Sequence, residues 1–197
     1  MYDLRTPSES ERNPNRWPAD AVPEVRMADP GDAAFGSLID QMRAAIEGSP
    51  SEVRELMLAT YRALPMAFAP VLASVVDDVV EGRTPVLVHC AAGKDRTGYV
   101  AAALQLALDV PYQDVEGDYL LSNDLFGRPR LAASIRRTFG VEPNPDTIDA
   151  LAVHAEYLQA ALRAIEVAHG SFGGYLREAV GVDAERERAF KRGLLAG

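Results

Sequence analysis

The stretch from His89 to Gly98 constrains the fold of this chain more than any other part of the sequence. A short valine-rich run at 85–88 precedes it, and its length and composition predict a buried strand. An uncharged run at 99–108 follows it and predicts a buried helix. A tight loop between a strand and a helix N-terminus directs unpaired backbone N–H groups at one small volume, together with the positive end of the helix dipole. The sequence therefore predicts an anion-binding loop.

The side chains of this loop indicate nucleophilic chemistry on a tetrahedral oxyanion. Cys90 begins the loop, where the surrounding N–H groups favour the nucleophilic thiolate over the thiol. Arg96 follows after five residues, and its planar fork can bind two oxygens of one oxyanion. We expect Thr97 to donate a hydrogen bond to the sulfur, His89 to support the loop and Gly93 to allow an inward turn. A lone cysteine is otherwise most often a small buried hydrophobic residue.

The pattern Cys-x5-Arg-Thr behind a strand and a histidine resembles the phosphate-binding loop of the cysteine-dependent phosphatases. The fuller string His-Cys-x-x-Gly-Lys-Asp-Arg-Thr-Gly is narrower and resembles the bacterial atypical protein-tyrosine and lipid phosphatases. The resemblance implies a nucleophile at Cys90, a phosphate-binding arginine at Arg96, and neither a metal nor another cofactor. It also implies that the substrate phosphate is bound by the loop residues Ala91, Ala92, Gly93, Lys94, Asp95 and Arg96.

Segments outside the loop extend the resemblance along nearly the whole chain. They are Asp3-Leu4-Arg5-Thr6, Tyr119 to Asn123, Ala155 to Leu158 and Gly170 to Arg177. Members of this family carry further strands before the first of these segments, whereas this chain begins almost at it. We therefore expect a shortened sheet with an exposed edge.

The acid that protonates the leaving oxygen has two candidates. By resemblance Asp32 lies where the acid loop of the family falls, although an aspartate at 29–32 is also typical of a turn alone. Asp95 is the second candidate, from within the loop, and it could instead cap or brace the following helix. Lys94 is expected to line the mouth of the pocket and to attract phosphate, the alternative being a solvated surface charge.

Composition and charge narrow the remaining classes of function. The 197-residue chain is 48% hydrophobic and 25% charged, which is typical of one globular domain with a full core. A net charge of −9 argues against broad nucleic-acid binding and against adsorption to an anionic membrane.

The single cysteine excludes an intrachain disulfide and fits a reducing compartment. No apolar run approaches the roughly 20 residues of a membrane span. The polar N-terminus is unlike a secretory signal, so we expect a cytoplasmic protein unless another route exports it.

The rest of the chain predicts one α/β domain over residues 1–197, with a small, mostly parallel sheet flanked by helices and a helix-rich C-terminal half. A strand end is predicted at 2–4, a polar loop from there to Pro18, and a short strand within 21–32. Apolar stripes and capping residues predict helices at 34–47, 50–64, 65–81, 111–126, 130–139, 144–170, around 176–180 and at 184–195.

Together these features predict a phosphomonoester hydrolase. The Cys90 thiolate attacks phosphorus, Arg96 and the loop N–H groups hold the oxygens, and either Asp32 or Asp95 protonates the leaving alcohol and later activates water. The expected substrates are phosphotyrosine proteins and, because Lys94 adds a second positive charge, phosphoinositides. Two other classes stay open, namely a module that binds phosphate without turnover and a thiol-based arsenate reductase, which usually needs further cysteines. No oligomeric state is predicted.

Overall fold

The computed structural model of the chain describes residues 1–20, 22–28 and 38–195. Three short strands form a parallel sheet in the order β2-β1-β3, with β1 at Tyr2–Asp3, β2 at Arg26–Met27 and β3 at Val88–His89. Tyr2 pairs with Arg26 on one side and with Val88 on the other. The predicted α/β class with a small parallel sheet is thus confirmed.

Strand β3 is shorter and more exposed than the sequence predicts. Only Val88 and His89 take part in strand pairing, and Leu87 in the preceding run is 48% exposed. Within the described ranges β3 pairs with β1 alone, so its other edge has no partner strand. The run at 85–88 therefore lies at a sheet edge that no described strand covers, which agrees with its partial exposure.

Helices make up most of the described chain. In chain order they are α1 (Pro7–Arg12), α2 (Leu38–Gly48), α3 (Pro50–Val80), α4 (Arg96–Ala107), α5 (Tyr112–Leu120), α6 (Ser122–Phe126), α7 (Arg128–Phe139), α8 (Pro145–Ala150), α9 (Ala155–His169), α10 (Phe172–Glu178) and α11 (Ala184–Leu195). The helix-rich C-terminal half is confirmed. Ser49 and Asn144 cap α3 and α8 through their side chains, as their positions predict.

Helix α3 continues through the proline at which the sequence predicts a new helix. Pro65 and Pro70 both lie inside its 31 residues. A proline inside a helix removes a hydrogen bond and crowds the preceding turn, at a cost of ~3 kcal/mol. Packing outweighs this local cost because α3 lies at the centre of the molecule, in contact with α2, α4, α8, α9 and α11. Tyr61, Leu64 and Phe68 are its most deeply buried large side chains.

The sequence predicts no segment that is long and apolar enough to span a membrane, and α3 corrects this prediction. By length and apolar character alone, α3 could cross a membrane. However, 56% of the most apolar window is buried inside the protein. The core helix of a protein that folds in water meets the same two criteria, so α3 is explained by its packing.

Two predicted helices are interrupted. The helix expected at 111–126 is divided at Leu121 into α5 and α6, and the helix expected at 144–170 is divided at 151–154 into α8 and α9. At the second break, the amide of Asn123 donates to the Val153 carbonyl at 2.9 Å and accepts from the Val153 N–H at 3.0 Å. A partner distant in sequence thus satisfies the freed backbone, which periodicity alone cannot reveal.

Helix α1 forms where the sequence analysis predicts only a polar loop. The Thr6 hydroxyl accepts from the Glu9 N–H at 3.3 Å, and the Glu9 carboxylate accepts from the Thr6 N–H at 2.9 Å. Pro7 takes the first helical position, where its missing N–H costs no hydrogen bond. This capping box is readable in Thr-Pro-Ser-Glu, but no apolar stripe accompanies it, so periodicity misses the helix.

Candidate active site

The predicted anion-binding loop lies between β3 and α4. Cys90 follows β3 directly and is half-buried, and Arg96 is the first residue of α4. Gly93 has a φ of +72°, so the chain turns there in a conformation that favours glycine. The Gly93 N–H donates to the Cys90 sulfur at 3.3 Å. The structure therefore has the strand, loop and helix in the expected order, with a backbone donor on the sulfur.

The guanidinium of Arg96 is fixed by Glu9, a residue that the sequence analysis missed. One terminal nitrogen donates to Glu9 Oε2 at 2.7 Å and to the Leu4 carbonyl at 3.0 Å, and the other donates to Glu9 Oε1 at 2.8 Å. The capping box of α1 places this carboxylate, because the Thr6 N–H holds its Oε2. A paired fork of this kind fixes the plane of the guanidinium.

The pKa values of this pair show the same coupling. Burial by itself would lower the pKa of Arg96, but its hydrogen bonds to Glu9 and the charges of Cys90, Glu9 and Asp95 outweigh burial and raise it. Burial by itself would raise the pKa of Glu9, but the hydrogen bonds and charge of Arg96, with the help of Thr6, lower it. Both side chains are therefore held in their charged forms.

Asp95 is held by two side chains instead of capping α4. It occupies the N-cap position, but its side chain makes no capping hydrogen bond. Its Oδ1 accepts from the Tyr61 hydroxyl at 2.9 Å and from Lys94 Nζ at 2.9 Å, and its Oδ2 lies 2.7 Å from Lys94 Nζ. The Tyr61 hydroxyl in turn accepts from the Tyr119 hydroxyl at 2.7 Å.

Lys94 lines the cleft beside the loop, and its charge is paired within the protein. The residue is only 7% exposed, and its ammonium group donates to the Leu151 carbonyl at 2.8 Å as well as to Asp95. Leu151 lies in the break between α8 and α9. In a continuous helix its carbonyl would accept a backbone hydrogen bond, whereas here it accepts from Lys94. Lys94 thus ties the loop to this break, and Asp95 neutralises its charge.

The side of the loop that faces the sheet is supported by a buried ion pair. The Arg5 guanidinium donates to both oxygens of Asp3, at 2.8 Å from Nε and 2.6 Å from a terminal nitrogen. His89 lies beside this pair, with Nε2 3.5 Å from an Asp3 oxygen and Nδ1 3.4 Å from the Cys90 carbonyl. The Nε2 atom makes no hydrogen bond to a described residue, and the supporting role of His89 stays a prediction.

A cleft of about 200 Å³ opens beside the loop. Of the predicted site residues, Ala92, Lys94, Asp95 and Arg96 line it, and Glu9 joins them. Its lining does not include the other predicted loop residues, which are His89, Cys90, Ala91, Gly93 and Thr97. The rest of the lining is mostly apolar and comes from α2, α3, α7 and the α8–α9 break, including Leu38, Ile39, Met42, Met57, Leu131, Ile135, Phe139 and Leu151. The cleft therefore combines a polar end at the loop with apolar walls.

Comparison with known proteins gives the family. A model of the tyrosine phosphatase family matches residues 1–196. The chain belongs to this family. A Cupriavidus necator protein named "Putative tyrosine-protein phosphatase H16_A0669" is 34% identical over an alignment of 197 residues. This alignment covers 95% of this chain and 67% of that protein.

Triple specificity protein phosphatase PtpB of Mycobacterium tuberculosis is 40% identical over an alignment of 134 residues. This alignment covers 62% of this chain and 48% of PtpB.

Two further site predictions for this member of the tyrosine phosphatase family have different outcomes. The Thr97 hydroxyl is buried and has no hydrogen-bond partner among the described residues, so the expected bond to the Cys90 sulfur is not formed. Asp32 lies outside the described residues, and its predicted role as acid stays a prediction. Asp95, the other candidate acid, lies in the loop and lines the cleft.

Proposed function

We propose that this protein hydrolyses phosphomonoesters through a cysteinyl-phosphate intermediate on Cys90. Membership of the tyrosine phosphatase family supports a phosphatase. The observation that carries the mechanism is the fixed guanidinium of Arg96, which follows the Cys90 loop at the start of α4. Together with the loop N–H groups it forms a site for a tetrahedral oxyanion beside a thiol.

The hydrogen bonds of Arg96 leave one edge of its fork for the substrate. An arginine side chain has five N–H donors. Glu9 and the Leu4 carbonyl occupy three of them, all on the terminal nitrogens. Among the residues that the structure describes, the Nε donor and one terminal donor have no partner, and they lie along the same edge of the guanidinium. This edge matches two oxygens of one phosphate group.

The reaction takes two steps. In the first, the Cys90 thiolate forms a bond to phosphorus while the bond from phosphorus to the ester oxygen breaks, and Asp95 gives its proton to the leaving oxygen. In the second, water attacks the phosphocysteine, Asp95 accepts a proton from this water, and the thiolate leaves. Inorganic phosphate and the alcohol are the products. Arg96 stays paired with the transferring phosphoryl oxygens in both steps.

The cleft favours an aryl phosphate as the substrate. Its walls are mostly apolar side chains, which can cover an aromatic ring. The charge of Lys94, on which the prediction of phosphoinositides depends, is already paired with Asp95. We therefore propose phosphotyrosine side chains as the preferred substrate, and phosphoinositide hydrolysis stays a prediction.

Hydrolysis assays in EDTA test this proposal. The substrates are para-nitrophenyl phosphate, a phosphotyrosine peptide and a phosphoinositide, and the variants are Cys90→Ser, Asp95→Asn and Asp32→Asn. We expect Cys90→Ser to lose activity on every substrate by on the order of 10³-fold or more. Loss of the acid should lower turnover of the peptide by roughly 10²–10⁴-fold while para-nitrophenyl phosphate, whose leaving group needs no proton, is affected far less.

The outcomes separate the candidate roles. A selective defect in Asp95→Asn supports the proposed acid, and the same defect in Asp32→Asn alone would transfer the role to Asp32. A folded wild-type protein that binds inorganic phosphate but turns over none of the three substrates would contradict the enzyme and favour the binding module. Turnover that persists in Cys90→Ser would contradict the covalent mechanism.

A further inference from the structure

The carboxylate of Asp95 accepts a hydrogen bond from a tyrosine in the middle of α3. Tyr61 lies in the middle of α3, and its hydroxyl donates to Asp95 Oδ1 at 2.9 Å. Lys94 Nζ approaches the same oxygen at 2.9 Å. An oxygen of a carboxylate has two lone pairs for hydrogen bonds, so these two donors fill Oδ1. Only Oδ2 retains a free lone pair, since its one contact among the described residues is with Lys94.

The hydrogen bond from Tyr61 has a fixed direction. Tyr61 is fully buried, and its oxygen accepts from the Tyr119 hydroxyl at 2.7 Å. The single hydrogen of Tyr61 must therefore point towards Asp95. Burial, reinforced by the charge of Asp95, raises the pKa of Tyr61 well above its usual value, so this phenol stays a neutral donor. Packing of the Tyr61 ring against Tyr119 and Tyr157 holds it in place.

From this geometry we propose that Tyr61 is a positioning residue that reserves Oδ2 of Asp95 for proton transfer to and from the substrate. The inference rests on the proposed function, in which Asp95 is the acid and then the base. In the first step the proton that leaves Oδ2 goes to the ester oxygen, and in the second step Oδ2 takes a proton from water. Tyr61 itself neither gains nor loses a proton.

The groups that face Asp95 differ in charge. Lys94 and Arg96 present positive charge from the loop and α4, while Tyr61, Tyr119 and Tyr157 are neutral and lie on α3, α5 and α9. Replacing Tyr61 with phenylalanine therefore removes a neutral donor and leaves the charges around Asp95 unchanged.

The experiment compares phenyl phosphate, a poor leaving group, with para-nitrophenyl phosphate, a good one, at the pH optimum of each variant. In Tyr61→Phe we expect the ratio of kcat/KM for the poor over the good leaving group to fall by about tenfold, the size of one hydrogen bond to a charged group. In an Asp95→Asn background, the same substitution should leave the ratio unchanged. A loss of packing alone would lower both rates and would not depend on Asp95.

Tyr99→Phe is the matched control. Tyr99 is equally buried, on α4, and its hydroxyl donates to another tyrosine hydroxyl, that of Tyr175, at 3.2 Å, away from the loop. We expect this control to keep the wild-type ratio. Tyr119→Phe provides a second test on another helix, because it removes the donor that orients Tyr61, and it should lower the same ratio by less.

Several results would overturn the proposal. They are a wild-type leaving-group ratio in both Tyr61→Phe and Tyr119→Phe, a defect that persists in the Asp95→Asn background, and an equal defect in Tyr99→Phe. Any of these three results would remove the role of Tyr61. The proposed function would still stand if the wild type turns over substrate and Cys90→Ser does not. Absence of turnover in the wild type would remove both.

Discussion

Arg96 and Glu9 form the most consequential pair at the scale of single residues. A guanidinium that binds phosphate must present one defined edge, and a flexible arginine loses conformational entropy when it does so. Glu9 removes this cost before substrate arrives, because its two oxygens already hold both terminal nitrogens of Arg96. In the proposed mechanism the pair therefore orients Arg96 for phosphate before substrate binds.

Replacing Glu9 with glutamine should weaken this preparation. Glu9→Gln keeps the size of the side chain but removes its charge and one of its two strong acceptor oxygens. We expect kcat/KM for a phosphotyrosine peptide to fall by about 10- to 100-fold, which corresponds to a charged hydrogen bond. Glu11→Gln, an exposed position on the same helix, is the control and should retain wild-type activity. Wild-type activity in Glu9→Gln would contradict the role of the pair.

The contribution of the Glu9–Arg96 pair to the free energy of unfolding should also depend on pH. The pKa of Glu9 is lowered in the folded protein, so its contribution to the free energy of unfolding is present at neutral pH and is lost as the pH falls through that lowered value. The difference in unfolding free energy between wild type and Glu9→Gln should thus be constant above about pH 5 and shrink below about pH 4. Urea unfolding across this range measures it.

Glu9 also shows what sequence reasoning can and cannot find at this scale. Thr6-Pro7-Ser8-Glu9 carries a readable capping signal, so α1 itself is predictable in principle. The contact of Glu9 with Arg96 spans 87 positions, and no local pattern encodes it. The proximity of Cys90 and Arg96 was predictable because only five residues separate them in the sequence.

At the scale of elements, the break between α8 and α9 couples distant helices to the loop. Its freed Leu151 carbonyl holds Lys94, and its Val153 peptide is held on both sides by Asn123. The predicted continuous helix at 144–170 would have used these backbone groups internally. The sequence has an apolar stripe that favours the helix, and only the partners in the folded chain favour the break.

Removal of the Asn123 side chain tests this coupling. Asn123→Ala leaves the N–H and carbonyl of Val153, a residue only 1% exposed, without partners. We expect a loss of about 2–3 kcal/mol in the free energy of unfolding, measured with urea. Ser122→Ala, at the neighbouring position in α6, should change it by less than about 0.5 kcal/mol. Equal stability of the two variants would contradict the account of the break.

At the scale of the whole molecule, α3 organises the site. Tyr61, in the middle of α3, donates to Asp95. The break between α8 and α9, which both pack on α3, contains the carbonyl that binds Lys94. Near the start of the chain, Glu9 binds Arg96. The α/β class, the parallel sheet, the loop and most helices follow from composition, periodicity and capping. The continuity of α3 through Pro65 does not, because it depends on packing on several sides.

In the proposed mechanism the phosphoryl group passes through the Cys90 sulfur, and this intermediate can be trapped. The wild-type protein, turning over a phosphotyrosine peptide, is quenched rapidly in acid, digested and analysed by mass spectrometry. We expect the peptide that contains Cys90 to gain the mass of one phosphoryl group during turnover and to lose it when substrate is exhausted. Steady turnover with Cys90 unmodified, or a phosphoryl group on another residue, would contradict this mechanism.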